Sequence, residues 1–307
     1  MIFGSVFFTF FSVVLTAFPA FAAPSVVVST APVHSIVSAV MEGAGEPRLL
    51  LPPAVSVHEF HLKPSDMLVL SAADFVIWGG PALETGLIKA LRAVGKHNQS
   101  VALLENPGLT VYPARGDDHH HDDDEHGEHR HDRIDGHFWL DPENMAATAL
   151  IVAGKLAAAD PENASLYQKN ARKVQTDMAA LKAEGVQRLS SLKNKPYVVF
   201  HDAYQYMEKS IGLSPLGALF IDPHHAAGAA RMTDVREKIK QKGTVCLFSE
   251  PQFSDKKIKA AAEGLPVLFG ELDPVGAAIE PGRDFYRVLM KTLYRSLAGC
   301  LSRLPEK

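Results

Sequence analysis

The sequence predicts an α/β protein of two lobes, each a mostly parallel sheet flanked by helices, bridged by one long rigid helix. Three observations lead there. Short apolar, β-rich runs alternate with helical patterns in two separate series, and such alternation implies parallel sheets covered on both faces. A single long helical pattern separates the two series. The 307 residues suffice for two domains of about 100–200 residues each.

The first series places strands at 25–30 (SVVVST), 48–51 (RLLL), 74–78 (DFVIW) and 101–104 (VALL), with helices at 33–41, 64–72 and 81–94. The second places strands at 197–200 (YVVF), 245–249 (VCLFS) and 266–269 (PVLF). Between them, Asp160 suits an N-cap and Pro161 the first helical position. Leu166, Val174, Met178, Leu181, Leu189 and Leu192 then recur at spacings of three, four or eight, one apolar stripe on a helix. Some 30 residues would span roughly 45 Å, more than one small lobe, so this helix reads as a stiff connector, with Gly185 weakening its middle. An ordinary packing helix inside one domain is the alternative. The division is 1–22, an export signal; 23–159, the first lobe; 160–193, the linking helix; and 194–307, the second lobe.

Residues 7–21 are almost wholly apolar and lead into Ala20-Phe21-Ala22, an A-x-A processing site, so the mature chain starts at Ala23. No Lys or Arg precedes the apolar run, which keeps an N-terminal anchor helix as the alternative. No cysteine follows the cleavage site, which argues against a lipid-anchored form. After signal removal the protein should be free of the membrane and outside the cytoplasm. There Cys246 and Cys300 should pair, closing a loop worth on the order of 4 kcal/mol in the chain-entropy model; two buried free thiols are the alternative. The formal net charge of −4 argues against a nucleic-acid partner, because phosphate binding needs a basic surface.

Half of the 14 histidines lie between His119 and His137. The segment 115–135 (RGDDHHHDDDEHGEHRHDRID) has one aliphatic residue, Ile134, and cannot bury apolar surface. It reads as an unstructured loop in which His119, His120, His121, His126, His129 and His131 capture metal weakly. A solvated charged loop without a role is the alternative.

In open α/β sheets ligands bind beyond the carboxyl ends of strands. His58 follows the RLLL strand, His201 directly follows YVVF, and Asp273 follows PVLF; His137 stands where the acidic loop ends and Phe138-Trp139-Leu140 begins, just before a helix opening at Asp141-Pro142. Three neutral imidazoles suit Zn²⁺, with water or Asp273 in the fourth position. Spacing alone leaves each histidine open to a packing or surface role. His58-Glu59-Phe60-His61 falls one residue short of the zinc-protease H-E-x-x-H motif and lies among prolines, so no protease site is read there. No G-x-S-x-G, P-loop or G-x-G-x-x-G pattern occurs, and an enzyme is not expected.

Leu50-Leu51-Pro52-Pro53 with 56–66 (SVHEFHLKPSD) resembles the first metal-site loop of the cluster A-I solute-binding proteins. His137-Phe138-Trp139-Leu140-Asp141-Pro142, Phe200-His201-Asp202-Ala203-Tyr204, Ser249-Glu250-Pro251-Gln252-Phe253 and Leu272-Asp273-Pro274-Val275-Gly276 resemble further motifs of that family, in order along the mature chain. The His/Asp-rich loop, the three histidines and the cysteine pair fit its zinc branch. The resemblance implies His58, His137 and His201 as zinc ligands, two lobes joined by one long helix, a monomer in the periplasm, and delivery of Zn²⁺ to the membrane permease of a zinc ABC importer. A manganese or iron relative and, more remotely, a metalloenzyme are the alternatives. Val57 stands where some zinc relatives carry a metal-reaching Glu, so no fourth ligand comes from there, and Glu59 is not read as a ligand. Asp202 and Asp273 read as carboxylates that orient histidines. His61 reads as a surface residue, His34 and His97 carry no metal role, and His224 with His225 would form at most a weak accessory site.

Overall fold

The structure, a computed structural model, describes residues 23–58, 60–115, 134–221 and 228–306. The signal segment, Glu59, His224, His225 and the six loop histidines named above lie outside them.

The first sheet holds β1 (Val26–Val28), β2 (Arg48–Leu49), β3 (Phe75–Trp78) and β4 (Ser100–Ala102) in the order β2-β1-β3-β4, all parallel. The second holds β5 (Tyr197–His201), β6 (Gly217–Phe220), β7 (Val245–Ser249) and β8 (Val267–Glu271) in the order β6-β5-β7-β8, again all parallel. The two orders are the same. Each sheet therefore reverses its strand order once, between β1 and β3 and between β5 and β7. That is where an open α/β sheet offers a crevice.

Helices α1 (Ala31–Val40), α2 (Pro64–Ala72) and α3 (Thr85–Ala93) belong to the first half of the chain, and α6 (Gln205–Ile211), α7 (Ala229–Lys242), α8 (Asp255–Ala262) and α9 (Phe285–Leu301) to the second. Between the sheets lie α4 (Pro142–Ala159) and α5 (Ala164–Leu189). Asp141 caps α4 by accepting the Glu143 amide at 3.0 Å, and Pro142 fills the first turn, where a missing N–H costs nothing. The 26 residues of α5 span about 39 Å at 1.5 Å per residue. This helix packs on α1 and α4 from the first half of the chain and on α6 and α9 from the second, so it is the spine that joins the lobes.

Several boundaries differ from the sequence reading, each for a local reason. Pro161–Asn163 forms a 3-10 turn and α5 begins at Ala164; the Asp160 carboxylate does not cap α5 but accepts from Asn163 Nδ2 at 2.8 Å and Tyr167 Oη at 2.7 Å. Leu166 and Leu192 are only half-buried, and Tyr167 and Ala171 take their place in the buried stripe. The third helix starts at Thr85, because 81–84 turns back so that the Leu83 and Glu84 amides donate to Gly80 O. The fourth strand stops at Ala102 and Leu103–Glu105 continues as a 3-10 turn. Strand β6 was not foreseen; four residues opening on a glycine carry too little pattern. The Cys246–Cys300 disulfide is present and pins α9 to β7.

Gly185 is required by packing. A Cβ there would lie 2.5–2.9 Å from ring atoms of Tyr294 on α9, a fully buried side chain. Two effects oppose each other in Gly185→Ala: helix propensity favours Ala by about 1 kcal/mol, while overpacking a rigid ring costs about 1–3 kcal/mol. Because Tyr294 has no room to swing away, the second should win. Denaturant unfolding is expected to show a net loss of stability; a gain would mean that the α5–α9 seam is looser than it looks.

Candidate metal centre

Each of the three histidines arrives from a different place. His201 is the last residue of β5 and stands at the switch point of the second sheet. His58 lies in the loop that follows β2. His137 immediately precedes a fully buried 3-10 turn, Phe138–Leu140. That turn is held from the far lobe: Trp139 Nε1 donates to Pro274 O at 2.8 Å, and Tyr286 Oη donates to Trp139 O at 2.8 Å.

The rings converge. His58 Nε2 lies 3.2 Å from His137 Nε2, and His201 Nε2 lies 3.3 Å from the same atom. One ligand atom of each lies within 4.8 Å of the others, the one such group of three among the described residues. Tetrahedral Zn²⁺ with Zn–N of about 2.0–2.1 Å sets neighbouring nitrogens about 3.3 Å apart, so two of the three spacings already fit. His137 and His201 are 6% and 4% exposed; His58 is half-buried and forms the rim. They line a cavity of about 30 Å³ whose other walls are largely apolar, including Val57, Phe253, Pro274 and Val275.

Two buried carboxylates set the rings. Asp135 Oδ1 lies 2.8 Å from His137 Nδ1, and Glu250 Oε1 lies 2.7 Å from His201 Nδ1. A carboxylate only accepts, so each Nδ1 carries the hydrogen and each Nε2 turns a lone pair to the cavity. Both carboxylates are fixed in turn. Gln205 Nε2 donates to Asp135 Oδ2 at 3.1 Å, and Tyr204 Oη donates to Glu250 Oε1 at 3.2 Å. Burial alone would raise Asp135, but hydrogen bonds and charge attraction from His137 hold its carboxyl below the usual range. Burial alone would lower His201, but Glu250, with help from Asp202 and Asp135, carries it above the ordinary imidazole value.

The carboxylates named from the sequence do other work. Asp202 is paired with Arg115, whose Nη1 also reaches Glu208 on α6 at 2.8 Å; it secures the foot of the acidic segment and does not touch a histidine ring. Asp273 lies outside the three-histidine group. Its oxygens accept the amides of Val275, Gly276 and Ala277 and Gln252 Nε2, the Asx-turn pattern that Asp-Pro-x-Gly favours. The residues that orient the histidines are Asp135 and Glu250, which the sequence reading missed. Glu250 could have been found: it follows β7, and β7 is the neighbour of the strand that ends in His201. His61 and His97 are exposed, and His34 is buried with Nε2 3.1 Å from Pro47 O. No helix among the described residues is long and apolar enough to cross a membrane.

Residues 26–300 match the family described as zinc-uptake complex component A, periplasmic, or ZnuA. The chain belongs to the ZnuA family. It is 40% identical to the high-affinity zinc uptake system protein ZnuA of Brucella suis biovar 1, over 91% of this chain and 92% of that protein. It is 34% identical to the protein of the same description from Yersinia pestis, with the same coverage. Among solved structures it resembles a zinc-bound ZnuA deletion mutant (TM-score 0.76, 22% identity, 92% of this chain and 100% of that one). It also resembles the periplasmic zinc-binding protein TroA of Treponema pallidum (TM-score 0.75, 20% identity, 92% and 100%). These likenesses bear out the two-lobed α/β fold.

If Asp135 and Glu250 act by fixing the rings, Asp135→Asn and Glu250→Gln should each weaken zinc binding by about 10–100-fold while the fold is retained. Isothermal competition against a chelator, with circular dichroism alongside, measures both. Unchanged affinity in either variant would show that its histidine needs no such support.

Proposed function

We propose that the chain captures Zn²⁺ in the periplasm, holds it with His58, His137 and His201, and hands it to the membrane permease of a zinc ABC importer. The observation that carries this reading is the convergence of three imidazoles, with the Nε2 atoms of His58 and His201 each at near-tetrahedral spacing from that of His137, and with His137 and His201 turning their Nδ1 atoms to buried carboxylates. The donor set is all imidazole, which suits a borderline-soft ion better than the oxygen-seeking Mn²⁺. The ion's two positive charges are balanced nearby by Asp135 and Glu250 without either occupying a coordination position.

The same geometry supplies a release mechanism. His58 and His137 come from segments preceding α5 and His201 from the second sheet. Parting the two sides by a small rotation about α5 would separate His201 from its partners and leave two ligands, too few for tight zinc. The acidic segment 115–135, with His119, His120, His121, His126, His129 and His131, is proposed to gather zinc weakly, since it lacks the apolar residues needed to fix a geometry. Export through residues 1–22 and action as a monomer complete the reading.

Calorimetric competition tests it. His58→Ala, His137→Ala and His201→Ala should each lose tight binding, and deletion of 119–131 should lower the total zinc bound while leaving the tightest Kd nearly unchanged. Affinity should fall with pH, because protons and zinc compete for the same Nε2 atoms. His201 is raised above its ordinary value, so the fall should begin above the usual imidazole pKa of about 6.5. Tight binding that survives His201→Ala would defeat a site shared between the lobes.

A further inference from the structure

Three imidazoles leave one corner of a zinc tetrahedron to fill, and a residue lining the same cavity has a buried amide oxygen that lacks a partner among the described residues. Gln252, two residues beyond Glu250, lines the cavity together with the three rings. Its Nε2 donates to Asp273 Oδ1 at 2.7 Å. Its Oε1 is buried and, among the described residues, accepts from nothing. The orientation of this amide is forced. A carboxylate cannot donate, so the nitrogen must face Asp273 and the oxygen must point away from it.

Asp273 is equally fixed. Oδ1 accepts from Val275 N at 3.1 Å and Gly276 N at 2.9 Å, and Oδ2 from Ala277 N at 2.6 Å. Trp139 Nε1, two residues beyond His137, holds the adjacent Pro274 carbonyl. The turn that aims Gln252 is therefore attached to the segment that carries His137.

A buried carbonyl oxygen without a donor is unfavourable and calls for a donor that arrives with the ligand. Water on Zn²⁺ is such a donor, because the ion polarises its O–H bonds. About 30 Å³ of space accommodates one water besides the ion. We infer that Gln252 is a positioning residue of this site: its Oε1 accepts a hydrogen bond from the water that completes the zinc tetrahedron, and Asp273 holds the amide in the orientation that permits it. A neutral amide leaves the fourth ligand an exchangeable water, whereas a carboxylate in its place would compete for the ion. Asp273 then acts on the metal only through Gln252. This inference rests on the zinc reading above.

The test uses the mature chain and five variants: Gln252→Leu, Gln252→Ala, Asp273→Ala, the double variant Gln252→Leu/Asp273→Ala, and His201→Ala as the reference for a lost ligand. Zinc competition should give about 10–100-fold weakening for Gln252→Leu and a similar factor for Asp273→Ala. The double variant should be no worse than the weaker single, because both act through one chain of contacts. Gln252→Ala should match Gln252→Leu, which separates loss of the acceptor from the bulk of the new side chain. A second readout does not follow fold stability: with Co²⁺ in place of zinc, at full loading, thiocyanate displaces the bound water and changes the visible spectrum. Without its acceptor the water is held less well, so Gln252→Leu should need less thiocyanate than the parent. Zinc affinity or a thiocyanate response equal to the parent's would overturn the inference. So would an Asp273→Ala loss as large as that of His201→Ala and additive with Gln252→Leu, which would make Asp273 a ligand. A parent that bound no zinc, or a His201→Ala variant that bound it fully, would sink the zinc reading and this inference with it.

Discussion

Bringing two neutral imidazoles within about 3.3 Å of a third is unfavourable unless something positive sits among them, because their lone pairs face each other. Much of the structure around them serves to hold that arrangement. His201 is fixed at the end of a fully buried strand, and His137 is held by a 3-10 turn that the far lobe secures through Trp139 and Tyr286. Asp135 and Glu250 determine which nitrogen of those two rings faces the cavity. Burying two carboxylates would be severe without partners. Here each accepts from an imidazole and from a further side chain, Gln205 or Tyr204, so the desolvation is offset by bonds that also define the site.

The two sheets repeat one strand order, and His58 from the loop after β2 meets His201 from the end of β5 in a shared seam. A single-lobed site would trap the ion with nothing to release it. A seam closed by residues from both sides can be opened by small motion about a rigid axis, and α5 provides that axis through its packing on α1 and α4 from the first half of the chain and α6 and α9 from the second. Stiffness there depends on close approach: the Tyr294 ring lies where a side chain at position 185 would begin. The Cys246–Cys300 bridge does the same for the outer side of the second sheet, tying α9 to β7.

Much of this was legible in the sequence. Alternating strand and helix patterns gave the layers, the 160–192 stripe gave the spine, and the rule that sites lie at strand ends gave His58, His201 and, from the turn after the acidic run, His137. The misses have physical causes. The shared strand order of the lobes is a property of the backbone path, carried by no common residue pattern. Asp135 stands at the end of a run of acids, where nothing in the pattern singles out its carboxylate as one that folds inward. Asp273 occupies a strand end, but the Asp-Pro-Val-Gly that it opens is a turn signature, and its oxygens are engaged by the turn's own amides. Position at a strand end says that a residue borders the crevice; the local turn chemistry decides which way its side chain faces.

The central claim is that one ion is shared by three imidazoles across the seam, with no carboxylate among its ligands. The most direct measurement is an anomalous-difference map at the zinc edge from crystals of the zinc-loaded mature protein. The account predicts one dominant peak about 2.0–2.1 Å from the Nε2 atoms of His58, His137 and His201, with Asp273 still on its own turn. A dominant peak held by histidines of the 115–135 segment, or one in which Asp273 replaces an imidazole, would contradict it.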